Sequence, residues 1–312
     1  MKNFRSSRTA VTKVVAGLTA LAIVLAGIIG IFAYNQLSSQ NALPNPTPTP
    51  NPTSTHKPTS TPTQTTTPSP AVTPTPTSTI TNAIEFCREL DTWENLLLLD
   101  VIHRGFGVAE FSDALQRYDQ ILAASPQNAP LMRVFRRIAN YDNPLQPGDL
   151  EKVNDSTDRL VVPALYCDRL SLPKDYSEML VRASASQDGY MLTHVLLACI
   201  WIQENDCEVA LPEGFTSQLY HANANLINND MTVSDLEIEA GALLFLAGQG
   251  ELVDKAFIER VVAVQNFDGG WLDSSDTPGT SSGHSAVLAL LLLLHAEHPA
   301  DAYPLMLASG SL

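Results

Sequence analysis

Two apolar patterns alternate along the second half of the chain. Stretches 192–202, 240–247 and 286–294 are apolar at nearly every position. Stretches 175–186, 215–228 and 252–265 carry an apolar stripe opposite charged positions. A helix that is apolar all round is buried on all sides, and an amphipathic one covers it. Buried-then-covering pairs, repeated, predict an all-α fold: an α/α toroid or horseshoe of about five helical hairpins. His194, Glu239 and His284 each open an apolar run, and successive members are 45 residues apart. That period suits one hairpin with its two turns. An earlier member begins at Leu160, led by Asp158 and Arg159. The periodicity predicts helices over 84–102, 108–124, 130–140, 149–171, 175–186, 191–204, 214–228, 234–248, 252–265, 282–297 and 301–309. Pro163 falls inside one of them and predicts a kink.

The first quarter of the chain is different. The run that begins at Val14 and closes at Ala33 holds no charge. At 1.5 Å per residue it spans about 30 Å, the hydrocarbon thickness of a bilayer. Lys2, Arg5, Arg8 and Lys13 precede it, so residues 1–13 are expected in the cytoplasm and the rest outside. The alternative is a cleaved signal peptide. The run is long for a signal core and no small-x-small site follows Tyr34, so an uncleaved plasma-membrane anchor over 14–34 is expected. Residues 35–82 read as a Pro/Thr/Ser-rich linker, with eleven of the 21 prolines between 41 and 82. Such a segment cannot bury enough surface to offset its ordering entropy. Proline biases it to polyproline II, and 42 residues fully extended would reach about 130 Å. This predicts a disordered stalk that holds residues 83–312 away from the membrane.

Charge narrows the partners. The formal net charge is −15, and all 33 acidic residues lie beyond residue 82. An acidic body repels polyphosphate, so no nucleic-acid partner is expected. The four cysteines, Cys87, Cys167, Cys199 and Cys207, form no CxxC. Outside the cytoplasm they allow two disulfides in three connectivities, with buried free thiols as the alternative for Cys167 and Cys199.

The most informative stretch is Gln265-Asn266-Phe267-Asp268-Gly269-Gly270-Trp271, a glycine corner between two helices. Gly269 and Gly270 permit the positive φ of a tight turn. Gln265 can satisfy orphan groups at neighbouring helix ends, and Trp271 can bury a large apolar plate. Gln187, Gly189 and Tyr190 form a weaker copy. This corner resembles the repeat motif of the terpenoid cyclases and protein prenyltransferases, in which an outer helix ends in Gln, then Gly, one residue and an aromatic. Gln265, Gly269 and Trp271 match, and Gln187, Gly189 and Tyr190 match in part. The run Asp276–His284 also looks like the approach to an inner helix in prenyltransferase β subunits. The resemblance implies an α/α toroid over residues 160–309.

The catalytic motifs of those groups are missing. No D-x-D-D acid exists; Asp155 and Asp158 have the wrong spacing. Where the prenyltransferase zinc site has a cysteine two residues after an Asp, this chain has Tyr190 after Asp188 and Gly270 after Asp268; only His284 matches. No cysteine has the Cys-Gly-Glu-Gln context of a thioester domain. What remains is the ring. His194, Glu239 and His284 at equivalent ends of inner helices would face one mouth of a central cavity. Two imidazoles and a carboxylate make a zinc-type set or a general acid/base group. Water-wetted helix-start residues are the bland alternative, and helix spacing of 8–10 Å weighs against a shared ion. His295 and His298 read as partners of a helix C-terminus, as does His103. Trp93 and Trp201 read as core, and Asp235 and Glu237 as first-turn acids stabilised by the dipole. The expectation is a surface-displayed, non-catalytic binding module facing an extracellular or cell-wall ligand. The alternative is a degenerate toroid enzyme, a metal-assisted hydrolase or lyase or, further off, a terpenoid cyclase or prenyltransferase.

Overall fold

Capping side chains fix where most of the late helices begin. In a computed structural model the described residues are 76–186, 188–228, 232–272, 281–298 and 305–309. They form eleven α-helices and no strand; a lone bridge pairs Trp271 with Ser282. The basic tail, the run Val14 to Ala33 and the stalk up to residue 75 lie outside the described residues, as does Gln187. Among the described residues no helix is long and apolar enough to cross a membrane.

Helices α1 (Pro76–Arg88) and α2 (Trp93–Phe106) stand where one helix over 84–102 was expected. The first starts six residues inside the stretch read as linker (35–82), because Thr79, Ile80, Ala83 and Cys87 make a buried face at helical spacing. Helices α3 (Ala114–Ala124) and α4 (Ala129–Phe135) follow, the latter with Pro130 in its first turn. Helix α5 (Asp158–Leu165) is far shorter than the predicted 149–171. Pro163 supplies no N–H to the Arg159 carbonyl, and the helix ends two residues later instead of continuing through a kink. Then come α6 (Tyr176–Ser184), α7 (Gly189–Glu204), α8 (Phe215–Ala224), α9 (Asp235–Leu246), α10 (Lys255–Ala263) and α11 (Gly283–Glu297). Asp188, Ser234, Asp254 and Ser282 each accept a first-turn amide, and Ser234 with Glu237 forms a capping box.

Helices α9 and α11 are the apolar rods that the pattern predicted: α11 is buried from Ser285 to His295. Helix α9 packs against α7 and α11, α7 packs against α5, and α11 packs against α2 and α1. Amphipathic α6, α8 and α10 each precede one of the rods, and α6 and α8 lie along α7. Among the described residues the first and last helices therefore touch. No helix spans 305–309, contrary to the prediction over 301–309. This segment is held instead by hydrogen bonds from the Met306 and Leu307 amides to Glu204 and from the Ala308 amide to the Ile138 carbonyl.

The glycine corner joins α10 to α11. Gln265 Nε2 donates to the Thr79 carbonyl of α1 and to the Gly269 carbonyl, both at 2.9 Å. Trp271 is buried and donates its indole N–H to Val261 of α10. Gly269 has φ +92°, and a Cβ there would meet the Asn82 carbonyl oxygen at 2.3 Å. Gly270 needs no positive φ; its requirement is room, since a Cβ would lie 2.4 Å from Ser281 Cβ.

Cys167 and Cys207 are disulfide-bonded, and Cys87 and Cys199 are thiols. Beside the bridge sits a group invisible to periodicity. Arg137 is 1% exposed. It donates to both oxygens of Asp168, to Asn205 Oδ1 and to the carbonyls of Leu165 and Tyr141. A charge so deep needs this complete set of acceptors. His295 departs from its expected role as a charged helix-end group. It is fully buried, edge-on to Phe106 and stacked on Phe245, and burial pushes its pKa down to about 4.

Candidate functional site

The starts of α7, α9 and α11 bring one polar cluster together. On α7, Tyr190 and His194 are four residues apart; on α9, so are Asp235 and Glu239. Residues at that spacing share one helix face. The two pairs are offset by the 45-residue period, so packed neighbours present them side by side. Helix α11 adds His284 and Ser285 from its first turn.

Asp235 is the hub. It is 4% exposed. It accepts from Ser285 Oγ at 2.6 Å, from Tyr190 Oη at 3.1 Å and from His284 Nδ1 at 3.1 Å. Burial opposes its ionisation, but the hydrogen bond and charge of His284, then Ser285 and Tyr190, outweigh burial and hold the carboxyl below its ordinary range. His194 Nδ1 lies 2.8 Å from the Tyr190 carbonyl. A carbonyl and a carboxylate only accept, so in both rings Nδ1 carries a proton.

Glu239 is the exceptional member. Its side chain is only 7% exposed, and its one ion pair is to His194 Nδ1 at 3.6 Å. Among the described residues it accepts no hydrogen bond. Its oxygens are not among the side-chain atoms that are sealed from water without a partner, so water can reach them. One ligand atom from each of Asp235, Glu239 and His284 lies within 4.8 Å of the others. Helix α9 lies between α7 and α11, so its carboxylates reach both ways, while the first and third helices, the pair to which the spacing objection applied, do not share the tight group. His194 belongs to the same cluster on the far side of Glu239, outside that tight group. Beyond His194 lie Asp155 and Asp158. Burial, then the Asp155 charge, pushes the Asp158 carboxyl up, with His194 opposing.

No family model, curated protein or solved structure matches this chain. The site is therefore read on its own residues.

Three of its members were missed from the sequence. Asp235 was assigned to the helix dipole, Tyr190 to a structural corner, and Ser285 to nothing. The signal was present: Tyr190 to Asp235 repeats the interval of His194 to Glu239. Gly189 also serves here, since a Cβ on it would meet Leu236 Cδ2 at 2.4 Å, so the start of α7 can approach α9 closely. His221 is exposed on α8. Trp93 packs on Tyr118 and Phe135, and Trp201 is buried, both as expected of core residues. His103 sits in the last turn of α2 with Nδ1 2.9 Å from the Val108 carbonyl.

Proposed function

We propose that the cluster is a zinc-type divalent-metal site on a membrane-tethered, surface-displayed binding domain. The observation that carries this is the convergence of ligand atoms from Asp235, Glu239 and His284 to within 4.8 Å of one another, beside a second imidazole, His194. Imidazoles oriented through Nδ1 by a carboxylate or a backbone carbonyl are the usual form of metal-ligating histidine. Glu239 and His284 would bind the ion, with His194 or Asp235 completing the set. A tetrahedral zinc shell brings ligand atoms to about 3.4 Å from one another, so the side chains would close by on the order of 1 Å. A bound ion would neutralise the buried acids and leave a position for an anionic group on an external ligand.

The toroid or horseshoe of five hairpins belongs to the same proposal, as does kinship with the terpenoid cyclase and prenyltransferase repeat. Its support is the alternation of covering and buried helices and the Gln265–Trp271 corner. An extracellular address is supported by the run from Val14 to Ala33 and by the Cys167–Cys207 bridge, since disulfides persist in oxidising compartments. Tyr190, 39% exposed and hydrogen-bonded to Asp235, favours a second reading, a metal-assisted hydrolase or lyase in which that hydroxyl handles a proton.

The test is metal content. Full-length protein purified without chelators and exposed to zinc should hold one ion per chain by atomic emission. The His194→Ala/His284→Ala double variant should hold none. A wild-type chain that retains no divalent metal after dialysis refutes the proposal.

A further inference from the structure

The other end of α7 holds a second arrangement. Trp201 and Glu204 lie in its last turn, Arg104 in the last turn of α2, and Ile138 at the end of the 3-10 turn Arg136–Ile138. Together they grip residues 305–309 almost wholly through main-chain groups. Glu204 accepts the Met306 and Leu307 amides at 2.8 Å each, one per carboxylate oxygen. Arg104 Nη2 donates to the Met306 carbonyl at 3.0 Å, and the Ile138 carbonyl accepts the Ala308 amide at 2.9 Å. Arg104 is itself fixed by Asp100 at 2.8 Å. Two side chains anchor the segment: Met306 is 4% exposed, with its sulfur 3.3 Å from the Trp201 indole nitrogen, and Leu307 is 7% exposed.

Glu204 shows that this cradle is shaped for a peptide. An acid at a helix C-terminus meets the negative end of the macrodipole, and this one is also largely removed from water. Burial raises its pKa, while the two tail amides and Arg104 act the other way. Nothing in α7 itself calls for a carboxylate at this position; a pair of adjacent backbone amides does. Residues 306 and 307 form a bend, which turns both amides toward the one carboxylate.

We propose that this cradle is a peptide-binding site that residues 305–309 occupy in cis, and that it accepts in trans a bent segment with Met, or a similar unbranched apolar side chain, at the Met306 position. The two main-chain amides fix polarity and register, and the Trp201 pocket selects the anchor. Bound in cis, the tail acts as a tethered competitor.

The experiment uses full-length protein carrying Met306→Asp, which evicts the tail anchor. Labelled acetyl-Leu-Met-Leu-Ala-Ser-amide should bind this variant by fluorescence polarisation, and bind wild type about tenfold or more weakly, because the cis segment leaves only a small competent fraction. The same peptide with Asp in place of Met should not bind, and Glu204→Gln in the Met306→Asp background should weaken binding severalfold. A folded Met306→Asp variant that ignores the peptide overturns the proposal. Should that variant fail to fold, amide exchange in wild type decides. The Met306 and Leu307 amides should exchange by local opening well before those at the centre of α7; equal protection would make the segment a fixed part of the core and sink the idea.

Discussion

Glu239→Gln separates a metal ligand from an ordinary buried acid, because the two roles predict different outcomes. The carboxylate pairs with His194 at 3.6 Å and has ligand atoms of Asp235 and His284 within 4.8 Å. With no metal present, exchanging it for a neutral amide of the same shape relieves its repulsion with Asp235 while giving up the His194 pair, and stability should stay about level. With zinc present the wild type should gain what the ion contributes to the native state alone. At a free zinc concentration of 100 times Kd, that is about 2.7 kcal/mol. For a domain of this size each kcal/mol moves Tm by about 2–4 °C, so the wild-type midpoint should climb by about 5–11 °C. The variant should show little of that climb. The assay is differential scanning calorimetry of both proteins against a zinc-buffered titration, with magnesium as the control. A wild-type midpoint indifferent to zinc, or a variant that keeps the whole shift, refutes the reasoning from the converging ligand atoms of Asp235, Glu239 and His284.

Three further outcomes follow from the fold. Gly269→Ala should cost about 2–4 kcal/mol in urea unfolding, since it combines a positive φ with backbone overlap at the Asn82 carbonyl; a loss under 1 kcal/mol would mean that the corner relaxes freely. Cys167→Ser/Cys207→Ser should lower stability by about 4 kcal/mol, the loop-closure value for a bridge spanning 40 residues, read from guanidinium midpoints. His295 has a folded pKa of about 4 against 6.5 in the unfolded chain. The unfolded chain takes up the proton first, so stability is intact above pH 6.5, falls as pH drops toward 4, and changes no further below that. The loss is about 3 kcal/mol, and His295→Phe should flatten that slope of Tm against pH.

Periodicity revealed the rods and their covers because burial on all sides leaves a compositional mark that local chemistry does not obscure. The covering helices α6, α8 and α10 were legible for the same reason. The first half was harder. There α3, α4 and α5 are short and bounded by prolines, and much of the cohesion comes from Arg137, whose acceptors Leu165, Asp168 and Asn205 are 28 to 68 residues away. A charged residue of that kind looks like surface in any window of sequence. At the candidate site, the 45-residue interval found His194, Glu239 and His284, one residue per helix. It missed Asp235 because an acid in a first turn already has an adequate local explanation. Only the approach of Ser285 and His284 from α11 shows that this carboxylate faces inward. The tail was misread for a related reason: 305–309 has helix-forming residues, but Glu204 claims two of its amides from 102 and 103 positions away.

The seam between α1 and α11 governs when this domain can be completed on a ribosome. The apolar face of α1 (Ile80, Ala83 and Cys87) is covered by α11, and the amide of Gln265 reaches back 186 residues to the Thr79 carbonyl. Nascent α1 must wait, with its greasy side unshielded, until α11 has emerged. Such long sequence separation slows closure and leaves chaperones a broad interval in which to hold the chain.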